Sequence, residues 1–183
     1  MQIGYGIMLE DEITNLMREI ELLLFDKFNI KKGLHQPPHI TIKPPFEVSD
    51  LSPYKNYLDE LCEKMEPFEV HLKGFNCFGK KVIYLDVQHN QKLYDIYETI
   101  FSDIKGKYNP GLVRDDMIFH ATLAYDDIDE ETFSKAYEYL KANYQPEFKF
   151  TVNKIGLFYQ LPLLHTGDES GWIVIKKKSL NTI

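Results

Sequence analysis

Short runs of alternating apolar and polar residues recur along this chain, separated by longer segments whose apolar positions return every three or four residues. Gln2-Ile3-Gly4-Tyr5-Gly6-Ile7-Met8-Leu9 reads as a strand, after which Asp11 or Glu10 is expected to cap a helix with Ile13, Leu16, Met17, Ile20, Leu23 and Leu24 on one face. Lys31-Lys32-Gly33 ends that helix, and Pro37-Pro38 forces an extended approach to a strand at 39–43, which Pro44-Pro45 is expected to stop. A helix follows over 53–65, then a strand over 68–78 with Gly74 as a candidate bulge.

After Gly79-Lys80 the order restarts. Residues 82–87 read as a strand, and Leu93, Ile96, Tyr97, Ile100, Phe101 and Ile104 mark a helix. Gly106, Pro110 and Gly111 make a loop, 117–125 a strand, and an acidic start over 126–131 leads a helix to about Asn143. One long strand is expected over 147–158 and a last one over 172–178, behind a loop over 160–171. The halves match in order, with His39 and His120, Tyr5 and Tyr84, Phe68 and Phe148, and Gly74 and Gly156 separated by nearly the same distance. The reading is a single domain, 1–183, with an internal repeat of about 1–78 and 80–183. Its fold class is α+β: two pseudo-symmetric lobes, each a mostly antiparallel sheet flanked by helices, around a central cleft.

One tetrad in each half carries candidate chemistry: His39-Ile40-Thr41-Ile42 and His120-Ala121-Thr122-Leu123. Side chains alternate across a strand, so each histidine shares a face with its threonine while the apolar pair faces the other way. Histidine exchanges protons near neutral pH, and a threonine hydroxyl can donate to a bound oxyanion. Two such pairs facing one another would make an acid-base site for phosphoryl chemistry. Lys43 continues the His39–Thr41 face and is a candidate phosphate contact, with a solvent-exposed lysine as the bland alternative. Arg114, just before the second motif, could reach a substrate or instead pair with Asp115 or Asp116. Tyr5, Phe78, Tyr84 and Tyr159 are candidate stacking surfaces for a base.

The remaining histidines draw plainer readings. His35 precedes His39 by four residues, but Pro37-Pro38 rules out the helix that would make them a metal pair. His71, His89 and His165 are assigned surface or hydrogen-bonded roles. Cys62 and Cys77 lack a paired spacing and read as inert thiols.

Composition narrows the partners. A formal charge of −7 and a pI near 5.4 argue against wrapping long nucleic acid, whose binding rests on many basic contacts. Lys176-Lys177-Lys178 reads as a solvated strand end. No apolar run approaches the ~20 residues of a membrane span, and the start lacks the features of a signal peptide. The expectation is a soluble, cytoplasmic monomer with no membrane partner, no metal and no cofactor.

These residues resemble the 2H phosphoesterase superfamily, defined by two His-x-Thr-x motifs on matching strands of two lobes. His39-Ile40-Thr41-Ile42-Lys43-Pro44-Pro45-Phe46 looks most like its bacterial YjcG-like branch. Relatives called 2'-5' RNA ligases or RNA 2',3'-cyclic phosphodiesterases often carry proline before the second histidine and arginine after the motif, where this chain has Phe119 and Tyr125. The resemblance implies a metal-free mechanism. One of His39 and His120 would activate water against a 2',3'-cyclic phosphate or a terminal phosphodiester, the other would protonate the departing oxygen, and Thr41 and Thr122 would hold the non-bridging oxygens. The implied partner is a small phosphorylated substrate, a cyclic nucleotide or an RNA end. Two other readings stand beside it: a non-catalytic module that binds a nucleotide or RNA end, and an RNA end-joining ligase.

Overall fold

The structure, a computed structural model, describes residues 1–161 and 171–181. Among the described residues, eight strands form two four-stranded antiparallel sheets. β1 (Gln2–Met8), β2 (His39–Glu47), β7 (Lys154–Gln160) and β8 (Trp172–Ser179) make one, in the order β2-β1-β7-β8. The other runs β5-β4-β3-β6, from β3 (Phe68–Phe78), β4 (Val82–Val87), β5 (His120–Tyr125) and β6 (Glu147–Val152).

The helices α1 (Asp11–Phe28), α2 (Ser52–Glu63), α3 (Gln91–Lys107) and α4 (Glu130–Asn143) bury one stripe each. On α1 the buried set includes Ile13, Met17, Ile20 and Leu24, steps of three or four residues that keep one face inward. Each such Leu or Ile withdrawn from water contributes roughly 1.5–3 kcal/mol, so these stripes hold the helices to the sheets. The helices cross over. α1 leaves β1 yet packs on β5 and α4, whereas α3 leaves β4 and packs on β2. α2 lies on β7 and β8, and α4 on β3. Each sheet with its helices therefore draws on both halves of the sequence, and the halves interlock instead of each forming its own lobe.

Four local expectations are corrected. β2 does not stop at Pro44-Pro45 but runs to Glu47: its pairing with β1 shifts register between Ile3 and Tyr5, and this irregularity on a sheet-edge strand accommodates prolines that cannot donate. The single strand expected over 147–158 is two strands, because the chain passes at Asn153 from one sheet to the other. α1 ends at Asn29 in the left-handed conformation (φ 56°), before Lys31-Lys32-Gly33, and Lys32–His35 form a short 3-10 turn. Its N-cap is Glu10, with no capping bond from the side chain. Gly106 lies inside α3 instead of a loop. The loop expected over 160–171, with His165, falls mostly outside the described residues.

Gly74 has φ +74° where the β3–β4 register shifts, the bulge its position foretold. Lys176 and Lys178 are not free in solvent but pair with Asp59, and Lys178 also with Glu63, tying β8 to α2. His71 bonds Glu147 at 3.0 Å.

Candidate active site

The motif strands β2 and β5 are the edges of their sheets, and the two edges meet. Ile40 and Ile42, and Ala121 and Leu123, are buried in the core, which leaves His39, Thr41, His120 and Thr122 half-buried on the opposite faces. Three hollows run along the junction. One of about 80 Å³ is lined by Gln36, His39, Thr41, Phe158 and Trp172 among others. Two wider ones, about 360 and 390 Å³, adjoin His120, the first sharing Thr41 with the narrow hollow and the second sharing Gln36 and Trp172. The shared residues make the hollows one cleft with a tight end at His39 and an open end at His120.

Both imidazoles are oriented alike. His39 Nδ1 lies 2.7 Å from the carbonyl oxygen of Pro37, and His120 Nδ1 lies 2.6 Å from that of Ile118. A carbonyl only accepts, so each Nδ1 carries the proton and each Nε2 is left with its lone pair. His39 Nε2 receives the Thr41 hydroxyl at 3.1 Å. The Pro37-Pro38 approach thus places a carbonyl two residues before the histidine, and the stretch before β5 does the same for His120.

A phenylalanine packs on each ring. Phe158 lies 4.3 Å from His39 and Phe78 4.8 Å from His120, centroid to centroid. Phe158 opposes Gly4 in β1 and Phe78 opposes Val82 in β4, and Thr41 and Thr122 oppose Gly6 and Tyr84, two residues further along the same strands. The lobes are therefore equivalent here, with one difference. Gly6 offers no side chain, and the His39 ring occupies the space: a Cβ there would lie 2.8 Å from His39 Cδ2. Tyr84 fills the matching place and lies 5.0 Å from the His120 ring. His39 is consequently the more recessed. Burial pushes it down to about 4 against the raising effect of the Pro37 bond, and the nearby His120 lowers it further. Burial also lowers His120, again opposed by its backbone bond. Burial thus favours the neutral form of both in the free protein.

The structure separates the other candidates. Lys43 does lie beyond His39 and Thr41 and borders the narrow hollow, but it is buried and its ammonium meets Asp115 Oδ2 at 2.6 Å and the Pro44 carbonyl at 3.2 Å. Asp115 is itself pinned by Tyr97, whose hydroxyl receives its backbone N–H at 2.7 Å. Arg114 pairs with Glu98, has its guanidinium over Phe101, and borders none of the three hollows. Tyr5 is a core residue donating to the Tyr54 carbonyl, and its expected counterpart Tyr84 corresponds instead to Gly6. Phe158, Trp172 and Gln36 went unrecognised as cleft residues. Phe158 had a signal, since it follows Phe78 by nearly the spacing that separates the two histidines. Among the described residues no cluster of His, Cys, Asp and Glu is arranged to hold a metal.

Comparison with known proteins agrees with this architecture. The chain is 29% identical over 130 residues to a Bacillus pumilus protein named as a candidate phosphoesterase, covering 68% of this chain and 72% of that one. A similarly named Geobacillus thermodenitrificans protein is 28% identical over 130 residues, 68% and 71% of the two chains. Among solved structures, TT0787 of Thermus thermophilus matches with a TM-score of 0.69 at 15% identity over 98% of both chains. Apo LigT of E. coli matches with a TM-score of 0.67 at 17% identity over 99% of this chain and 98% of its own, and LigT complexed with 3'-AMP with 0.57 at 15%, with the same coverage. The family model described as the 2'-5' RNA ligase superfamily matches residues 9–161, so the chain belongs to that superfamily.

Proposed function

We propose that this protein is a metal-independent phosphodiesterase that opens a 2',3'-cyclic phosphate, or cleaves a terminal phosphodiester, of a nucleotide or RNA end. The observation that carries the reading is the matched pair of histidines, each with Nδ1–H given to a backbone carbonyl and Nε2 left with its lone pair, and each sharing a hollow with the threonine two residues on. With phosphorus between them, one Nε2 takes the proton of the attacking water and the other, protonated, delivers a proton to the departing ribose oxygen. Thr41 and Thr122 donate to the non-bridging oxygens, where charge must be stabilised as the bond breaks. The recessed, readily deprotonated His39 suits the base, and the less depressed His120, at the open end of the cleft, suits the acid. The names of the bacterial relatives and the 3'-AMP complex of LigT support a nucleotide phosphoester as substrate.

The test is hydrolysis of 2',3'-cyclic mononucleotides and cyclic-phosphate-ended oligonucleotides in the presence of a chelator. The parent should turn over, and His39→Ala and His120→Ala should each lose ~10²- to 10⁴-fold in kcat, the usual worth of one acid-base step. Nucleotide binding without turnover in the parent would instead establish a sensor.

A further inference from the structure

The cleft is poor in usable positive charge. Among the described residues lining its three hollows, Lys43 is the one lysine or arginine, and its ammonium is already held by Asp115. Lys32 approaches the edge, 5.9 Å above the Tyr125 ring, but pairs with Asp126 at 3.4 Å. Carboxylates are plentiful by contrast. Asp116 lines the hollow shared by Thr41 and His120, Asp126 lines the one shared by His120 and Thr122, and both are exposed. Asp86 is paired with His120 in the ladder and so stands on the same face of the sheet.

The neutral donors present suit one phosphoryl group. The hydroxyls of Thr41 and Thr122 and the amide of Gln36, with whichever imidazole is protonated at Nε2, can meet the oxygens of a single phosphodiester, which carries one negative charge. A second phosphate would face Asp116 and, beyond it, Asp126, whose charge Lys32 partly offsets, with no unpaired ammonium or guanidinium among the described lining residues to receive it. The wall also carries apolar and aromatic surface: Phe78, Met117, Ile118, Phe158 and Trp172 offer it to an uncharged nucleoside.

We propose that the cleft selects a singly charged phosphodiester with no second phosphate nearby, a nucleoside 2',3'-cyclic phosphate with a free 5'-hydroxyl, over 5'-phosphorylated or oligonucleotide forms. This rests on the phosphodiesterase reading above and names its substrate class. Asp116 and Asp126, which line the cleft, act as a charge filter. The reaction that supplies such a substrate is one that degrades RNA to cyclic-phosphate-ended mononucleosides.

The test compares kcat/KM for adenosine 2',3'-cyclic phosphate, the same compound bearing a 5'-phosphate, and a dinucleotide ending in a 2',3'-cyclic phosphate. The free 5'-hydroxyl compound should be preferred by tenfold or more at low salt, less at high salt. Asp116→Lys combined with Asp126→Asn, the second chosen because asparagine tolerates the φ of 62° at that position and releases Lys32, should shrink the preference severalfold. Equal or better use of the 5'-phosphorylated compound, or a preference unmoved by the double variant, overturns the charge filter. If no cyclic phosphate is turned over, the phosphodiesterase reading itself fails. Calorimetric Kd values for the same adenosine pair then decide the filter, weaker binding of the 5'-phosphorylated compound supporting it and equal or tighter binding overturning it.

Discussion

The imidazole of His39 lies over Gly6 on the neighbouring strand, so close that a Cβ on Gly6 would stand 2.8 Å from His39 Cδ2 and 2.9 Å from Cε2 of Phe158. The two rings pack on each other and border the narrow hollow, so a Cβ at Gly6 would push them toward it. Gly6→Ala should therefore displace His39 while leaving the sheet intact. The expected result is a fall in kcat/KM of at least tenfold with an unchanged circular dichroism spectrum, and little further loss when the change is combined with His39→Ala. Full activity in Gly6→Ala would show that the ring position is not required.

The pH dependence follows from the two depressed imidazoles. The general base must be neutral and the acid protonated, and kcat/KM reports both in the free enzyme. Activity should rise as pH climbs through about 4, the value for His39, and fall as it passes that of His120, which lies below the ordinary 6.5. The kcat/KM optimum is thus expected below pH 6.5. A bound phosphodiester anion favours the charged imidazoles, so the kcat optimum should lie higher. A kcat/KM optimum above pH 7 would contradict the neutral state of the free histidines.

The Lys43–Asp115 pair joins β2 to the segment before β5, and the two partners are unequally buried, with side-chain exposures of 1% and 30%. Asp115→Ala strands a buried ammonium and should cost about 3–5 kcal/mol in urea unfolding. Lys43→Met leaves a carboxylate that water can still reach, so its cost should be clearly smaller. Equal costs would mean that Lys43 stabilises the fold mainly through neighbours other than Asp115.

Glu21 is buried on α1 beside Arg18, 2.6 Å away, and one of its oxygens has no hydrogen-bond partner among the described residues. Burial pushes its carboxyl up to about 8 despite the lowering effect of Arg18. Between its ordinary 4.5 and about 8, folding takes up a proton, so this group's contribution is full below 4.5 and declines as pH rises through 8. Arg18 also donates to the carbonyls of Gly33 and Gln36, next to the Pro37 carbonyl that orients His39. Glu21→Gln should flatten the decline of Tm between pH 5 and 8, and a parent-like decline in the variant would assign that slope to other groups.

Strand periodicity alone placed His39 with Thr41 and His120 with Thr122 on faces away from the core, because side-chain direction in a strand is a local property of the backbone. The helical stripes of α1 and α3 were legible for the same reason, and the repeat in element order pointed to two equivalent sheets. Tertiary structure decided what the repeat could not. It sent α1 and α3 across to the opposite sheets, split 147–158 at Asn153 between them, and brought β2 and β5 edge to edge. Lys43 shows the limit most directly. Parity set it beside Thr41 in line with the motif, but the nearest carboxylate in space, Asp115, lies 72 residues away in sequence and takes its charge. Recession of His39 over Gly6 and against Phe158 likewise depends on three strands meeting. Local pattern sets the direction of a side chain, whereas its depth, partner and proton affinity are set by whatever distant segment packs against it.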